Sequence, residues 1–160
     1  MATIALQRVQ LANPKKATIR AFPEAASQSF KAGEFVYLSS GKVTVCASDT
    51  AHILGMAMHD ASGTTDADVL VAVADGETEF EMNVYHATPG SAITAITQIG
   101  AEYGLVVASN KHYLDLAETT ADAFQIQSLS PKDAVGDTYG RVIVKVLRDV
   151  ADTGQPGTLA

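Results

Sequence analysis

Apolar and polar residues alternate in short stretches along most of the chain after residue 30. The runs EFVYLSS and KVTVCAS stand on either side of Gly41, and each shows the two-residue period of a strand with one buried face. Ser39, Ser40 and Gly41 belong to the residue types that form tight turns. The pattern therefore predicts a β-hairpin over residues 34–47.

Similar runs recur at intervals of about 8 to 12 residues, which is the spacing of β-sandwiches and β-barrels. They are AHILGMAMHD, DVLVAVA, TEFEMNVYH, GLVVASN, KHYLDLA, AFQIQSLS and RVIVKVLRDV. The fourth and fifth runs predict a second hairpin around Asn110, and Gly55 inside the first run indicates a bulge or a close approach of two backbones. In residues 91–98, SAITAITQ, the β-branched residues favour a strand over a short helix. The sequence PKDAVGD predicts one helical turn over residues 131–137.

The predicted fold class is all-β (mainly): a compact β-barrel or β-sandwich of about nine or ten short strands, with an extended N-terminal arm and little helix. The chain of 160 residues fits one domain and is long enough to bury a real core. We expect residues 1–30 to form the arm and first strand, and residues 31–150 to form the β-rich domain. Residues 151–160 are small and polar with Gly and Pro, and we expect them to form a flexible C-terminal tail.

One predicted strand, within ETEFEMNVYH, carries a row of acidic residues. Because side chains alternate between the two faces of a strand, Glu77, Glu79 and Glu81 share one face, and the other face is apolar. Sealing like charges together in a pocket is costly, so we expect the acidic face to lie in water. Two alternatives stay open: a docking face for a positive partner, and a pair of carboxylates, Glu79 and Glu81, in a small hydrolase.

Charge is distributed unevenly along the chain. The net charge is −7, with +4 in residues 1–42, −9 in residues 43–110 and −2 in residues 111–160. An acidic chain is poorly suited to bind nucleic acid, so we expect no nucleic-acid partner. The basic N-terminal segment folds back on its own domain, lies as an arm on the acidic surface of another subunit, or forms an ordinary first strand pair.

The arm interpretation names a set of candidate intersubunit contacts, basic in the arm and acidic in the row that the arm would meet. These residues are Arg8, Lys15, Lys16, Arg20, Glu77, Glu79 and Glu81. Only 18% of the residues are charged, against about 25% in an average soluble domain, which fits a protein that lies against other subunits.

Motifs of catalytic chemistry are missing from the sequence. It contains no glycine-rich nucleotide loop, no nucleophile elbow and no HExxH. The single cysteine, Cys46, excludes an internal disulfide and lies in an alternating run, where a small buried side chain is expected. His52 and His59 fall on opposite faces of a regular strand, and Asp66 and Asp68 lack the later ligands of a calcium loop. We therefore expect no enzyme activity, catalytic residue, cofactor or metal.

Apolar segments of the length of a signal peptide or a membrane span are also missing. We therefore expect a protein that is made and kept in a cytoplasm, or in a particle assembled there, without a membrane partner.

The middle of the chain resembles a known family. The run GEFVYLSSGKVTVCASDTAHILGMAMHDASG, followed by VLVAVADGETEFEMNVYH, resembles the decoration or cement proteins that stabilise the heads of tailed bacteriophages. Those sequences show a G-x-x-V-x-L…G-x-V hairpin, a strand ending in I-L-G-x-A, and a V-x-V-A…G-x-T-x-F pair. The matching residues are Gly33, Val36, Leu38, Gly41, Val43, Ile53, Leu54, Gly55, Ala57, Val71, Val73, Ala74, Gly76, Thr78 and Phe80. The resemblance covers residues 30–86.

This resemblance implies a structural virion protein. Such a protein binds the outside of a phage capsid as an oligomer, commonly a homotrimer, and stabilises the shell by bridging neighbouring major capsid proteins. The expected location is the capsid exterior, with assembly in the host cytoplasm. The alternative function is a carbohydrate- or ligand-binding β-sandwich module that uses the face from Glu77 to Tyr85.

Overall fold

The strands form two sheets, and both sheets curl toward closure. The computed structural model describes residues 1–153. Its strands are β1 (Gln10–Leu11), β2 (Ile19–Pro23), β3 (Phe35–Ser39), β4 (Lys42–Val45), β5 (Gly55–Ala57), β6 (Asp68–Val73), β7 (Phe80–Tyr85), β8 (Glu102–Ala108), β9 (Lys111–Asp115), β10 (Phe124–Leu129) and β11 (Arg141–Val146). Two short 3-10 turns, Pro89–Ser91 and Ile96–Gln98, lie between β7 and β8.

The larger sheet closes into a five-stranded barrel. Its strand order is β1-β7-β11-β10-β8-β9, and a parallel pairing between Val84 of β7 and Leu114 of β9 joins the ends. The barrel interior is filled by the alternate, inward-facing residues of its strands, as the two-residue period requires. Its fully buried members include Phe80, Met82, Val84, Leu105, Leu114, Phe124, Ile126, Val142 and Val144.

The smaller sheet has the strand order β2-β6-β5-β3-β4. A bridge between Glu24 and Val43 brings its two ends together, and we call this partly closed sheet the smaller barrel. It encloses a second, smaller cluster of buried side chains: Phe30, Val36, Val43, Leu54, Ala57, Val69 and Val71.

Strands of the smaller sheet contribute to both cores. In β3, Phe35 belongs to the larger core and the next residue, Val36, belongs to the smaller one. The Phe35 ring reaches into the larger barrel, where its centroid lies 5.2 Å from that of Phe80 and 5.0 Å from that of Phe124. Because both faces of this sheet are covered, ILGMAM is an almost continuous apolar run rather than an alternating one.

The structure confirms the mainly all-β barrel fold and both predicted hairpins. The turns have the positive φ angles of tight two-residue loops, 51° and 77° at Ser40 and Gly41, and 50° and 60° at Ser109 and Asn110. The count of eleven strands exceeds the predicted nine or ten, because both β1 and β2 form in the N-terminal region.

Two local predictions are wrong. Residues 91–98 do not form a strand, because the side chain of Gln98 donates to the Ile93 carbonyl (2.9 Å) and accepts from the Ala95 amide (3.0 Å), which closes the segment into a turn. Residues 131–137 form turns rather than a helical turn. Their backbone is held by the Asp137 carboxylate, which accepts from the Ala134 amide at 2.9 Å.

Residues 2–13 fold back along their own chain. The Ala2 amide donates to the Asp137 carboxylate at 3.1 Å, and the Gln7 amide donates to the Asn83 side chain at 2.9 Å. Further along, β1 pairs with β7 through Gln10 and Glu81. Of the three alternatives for the basic segment, folding back on its own domain describes these residues.

The C-terminal end of the described chain is docked on the smaller sheet. Ala151 and Asp152 are buried, and the Asp152 carboxylate accepts from the Leu38 amide at 2.8 Å. The other oxygen of the same carboxylate lies 3.1 Å from Nδ1 of His52. Most of the predicted flexible tail, residues 154–160, lies outside the described residues.

The predicted close backbone approach at Gly55 is confirmed. A Cβ atom at this position would lie 2.0 Å from the carbonyl oxygen of Ala72 on the neighbouring strand. That separation is far below van der Waals contact, and both partners are fixed in the sheet between two cores. Gly55 therefore allows β5 and β6 to pack together.

We predict that Gly55→Ala lowers the free energy of unfolding by about 3 kcal/mol or more, because a backbone in the middle of a sheet has to move. Urea denaturation of the purified protein measures this. Gly90→Ala is the control, since its Cβ would meet nothing within 4 Å, and we expect it to change stability by less than about 1 kcal/mol. Equal stability of the two variants would contradict the prediction.

Candidate functional site

A buried polar cluster lies where the two barrels and the N-terminal segment meet. Nδ1 of His112, on β9, accepts a hydrogen bond from the Phe35 amide at 3.0 Å. The neighbouring Glu34 carboxylate accepts from Arg8 at 2.8 Å and from the Lys31 amide at 2.7 Å. Its other oxygen lies 3.7 Å from Nε2 of His112. The cluster lines one side of a cavity of about 290 Å³.

The protonation state of His112 limits what this cluster can do. Burial, together with the nearby Arg8 guanidinium, lowers the pKa of His112 to about 4, so the imidazole is neutral at neutral pH. Because Nδ1 accepts the Phe35 amide, the ring proton of the neutral form is on Nε2. Neither nitrogen is then free to accept a proton from a substrate or to ligate a metal. His112 serves as a structural acceptor that joins the two barrels.

Cys46 lines the same cavity and is also unsuited to chemistry. Burial raises the pKa of the thiol, so the thiol stays protonated, and Sγ donates to the His52 carbonyl at 3.5 Å. A protonated thiol is a poor nucleophile. The predicted small buried cysteine is confirmed.

The acidic row Glu77, Glu79 and Glu81, which leads into β7, is not a uniform wet face. Glu77 is exposed and Glu79 is half-buried, but Glu81 is buried. The Glu81 carboxylate accepts from the Ser130 hydroxyl and from Lys132 Nζ, both at 3.0 Å. The prediction that all three carboxylates lie in water is therefore wrong at Glu81, where residues 130–132 cover the strand.

The rest of that face is also covered. Asn83 donates to the carbonyls of Ala5 and Tyr139 at 3.1 Å and 2.7 Å. The Tyr85 ring stacks on Tyr113 and on Tyr139, with centroids 5.4 Å and 5.9 Å away. The face from Glu77 to Tyr85 therefore offers no open groove with a free aromatic platform for a sugar ring.

The four basic candidates separate into two groups. Arg8 is bound internally to Glu34. Lys15 and Lys16 in the turn before β2, and Arg20 within β2, are exposed, and among residues 1–153 they form no salt bridge. These three are the basic side chains of the N-terminal segment that stay available to a partner.

We call the area around Lys15 and Lys16 the β2 surface, and define it as Lys15, Lys16, Ile19 and Leu70. Arg20 lies on the opposite face of β2, where it lines a separate cavity with Phe22 and Asp75. Ile19 and Leu70 are exposed although they are large and apolar. They are diagonal neighbours on one face, since Ile19 pairs with Ala72 and Leu70 pairs with Ala21. Within residues 1–153, β2 pairs along its length with β6 alone, so its other edge is open up to the bridge from Glu24 to Val43, and such edges accept partners readily.

A second exposed apolar area was not anticipated as a site. We call it the isoleucine surface, and define it as Met1, Ile93, Ile96, Ile99 and Val135, all of which are exposed. A signal was present in the sequence, because three isoleucines at a spacing of three residues stand in a stretch, residues 87–101, without any charge. The same isoleucines are β-branched, and by local propensity they predict a strand rather than an exposed surface.

Residues 1–153 contain no group of three His, Cys, Asp or Glu side chains that could hold a metal ion. Over the same residues, no helix has the length and apolar character needed to cross a membrane.

Comparison with protein-family models and with curated proteins gives no match.

We predict that His112 makes stability depend on pH. The pKa of His112 lies near 4 in the folded state and near 6.5 in the unfolded state, so below pH 6.5 the unfolded chain takes up a proton that the folded chain does not. The contribution of the neutral His112 to the free energy of unfolding is fully present above pH 6.5. It is lost as the pH falls toward 4, by an amount on the order of 3 kcal/mol.

Urea denaturation at pH 7, 5.5 and 4.5 measures this effect as the difference between the native chain and His112→Gln. A His86→Gln variant, at a half-buried histidine near the surface, controls for the loss of a histidine. Parallel pH profiles for the native chain and His112→Gln would contradict the assignment.

Proposed function

We propose that the chain is a structural virion protein that binds the outside of a bacteriophage capsid and stabilises the shell by bridging major capsid proteins. The proposal starts from the resemblance over residues 30–86. This region contains β3 to β7. It includes the close approach of β5 and β6 at Gly55, and the strands that contribute side chains to both cores.

The observation that carries the proposal is the β2 surface. The exposed apolar side chains of Ile19 and Leu70 lie at the edge strand β2, which follows the turn that carries Lys15 and Lys16, two exposed cations without a salt bridge among residues 1–153. Apolar contact supplies affinity, and positive charge directs the surface toward an acidic partner. The remainder of the molecule is acidic, so this surface is the place where a negatively charged shell protein is attracted rather than repelled.

The internal construction suits a protein that transmits load. The two barrels share strands between their cores, and the N-terminal segment is hydrogen-bonded along the larger barrel. A rigid subunit that holds two neighbouring capsid proteins resists their separation through buried contact area alone. In this role the protein is not an enzyme, uses no cofactor or metal, contacts neither nucleic acid nor membrane, and acts on the capsid exterior as a homo-oligomer.

We predict that Lys15→Glu with Lys16→Glu weakens binding to expanded capsids roughly tenfold at low salt, because two attractive charges become repulsive. Binding is measured by co-sedimentation with capsids. The heat stability that the protein gives to the capsids is measured in parallel. Added salt should narrow the difference between the native chain and the variant, since exposed charges are screened.

The matched control is Lys111→Glu with Lys145→Glu, which changes the net charge equally on the larger barrel. We expect the control to bind as the native chain does. Equal loss in both variants would show a general charge effect and would reject the β2 surface. A native chain that leaves capsids unbound and unstabilised would reject the proposed function.

A further inference from the structure

We propose that the isoleucine surface is covered by a second copy of this chain. Its exposed members make up five of the seven large exposed hydrophobic side chains found in residues 1–153. The other two, Ile19 and Leu70, belong to the β2 surface. Large apolar side chains gathered at one place mark an interaction site more reliably than scattered ones.

The members come from three segments that the fold brings together. Ile93 forms a bridge with Thr138, and the Gly136 amide donates to the Thr94 hydroxyl at 3.1 Å. The start of the chain joins them, since the Met1 methyl group lies 2.9 Å from where a Cβ of Gly136 would be. Ile96 begins the 3-10 turn Ile96–Gln98, and Ile99 follows that turn directly.

The loop is built to present these isoleucines outward. Ala92 and Thr94 point inward and are buried, whereas Ile93 between them is 40% exposed and Ile96 is 67% exposed. This is the reverse of the usual arrangement, in which the isoleucine would be buried and the threonine exposed. The loop is also fixed in place, because the Tyr139 amide donates to the Ala92 carbonyl at 2.7 Å and the Gly100 amide to the Ile126 carbonyl at 2.8 Å.

Charge identifies the occupant. Two copies of a chain with a net charge of −7 repel each other over most of their surfaces. Residues 87–101 contain no charged side chain. Of the charged neighbours, Asp133 is neutralised by Arg141 at 2.6 Å, and the Asp137 carboxylate is turned inward, where it accepts hydrogen bonds from the Ala2 and Ala134 amides. The isoleucine surface is therefore where copies approach each other with the least repulsion.

An acidic shell protein would instead be drawn to the cations of the β2 surface. The two apolar surfaces then serve different partners: the β2 surface holds the capsid, and the isoleucine surface holds another copy. This assignment rests on the proposed function for the capsid contact only, since self-association is measured without capsids.

The test compares two double variants that introduce the same charge. We expect the native chain to sediment as an assembly larger than the 16.7 kDa monomer. Ile96→Asp with Ile99→Asp should raise the dissociation constant of that assembly roughly a hundredfold, because two partly exposed isoleucines lose their burial. Ile19→Asp with Leu70→Asp is the control, because it places the same two charges at exposed apolar positions outside the isoleucine surface, and it should keep the native mass.

A native chain that is monomeric at all concentrations would overturn the inference, as would Ile96 and Ile99 variants that assemble normally. If the aspartate variants do not fold, Ile96→Ser with Ile99→Ser replaces them. A Val135→Cys variant supplies a second readout by oxidative cross-linking of two copies.

Capsid binding of the two double variants separates the proposals. Loss of capsid binding in the Ile19 and Leu70 variant with assembly intact supports both assignments, while native assembly without any capsid binding rejects the proposed function alone.

Discussion

The hydrogen bond from the Phe35 amide to His112 holds the smaller sheet in a fixed relation to the larger barrel. Phe35 also packs its ring against Phe80 and Phe124, so both the backbone and the side chain of Phe35 anchor β3 at one point. A buried amide without an acceptor costs about 1–3 kcal/mol, which makes a neutral imidazole at this position a structural requirement. The ion pair of Arg8 with Glu34 connects the N-terminal segment to this point of contact between the sheets. The same segment continues along the larger barrel, where the Gln7 amide donates to Asn83.

Local chemistry made part of the fold predictable from sequence. Ser40 with Gly41 and Ser109 with Asn110 are sufficient to set two hairpins, because turn geometry depends on neighbouring residues only. Closure of the larger barrel was not predictable, since Val84 and Leu114 pair across 30 positions of sequence. Glu81 looked solvated because its lysine partner stands 51 residues away. The isoleucine surface was missed for a different reason: β-branched residues favour strands locally, but the hydrogen bonds of the Gln98 side chain to Ile93 and Ala95 close the segment into a turn.

The distribution of charge takes on a physical meaning once the fold is known. The positive N-terminal region is divided, with Arg8 consumed in an internal ion pair and Lys15, Lys16 and Arg20 left at an edge strand. The acidic middle of the chain is partly internal as well, as Glu81 is buried and accepts from Ser130 and Lys132. What remains outside is an acidic body with one basic apolar area and one neutral apolar area. Two surfaces of different electrostatic character can select two different partners without interfering with each other.

The sharing of strands between two cores has a consequence for how the molecule comes apart. In β3, β5 and β6, neighbouring residues such as Met56 and Ala57, or Val71 and Ala72, face different cores. Neither barrel can open without stripping apolar cover from the other, so the two behave as a single cooperative unit despite having separate interiors. The amides of these three strands should be the last to exchange with solvent deuterium. Unfolding of the protein would have to begin at its periphery rather than between the two barrels.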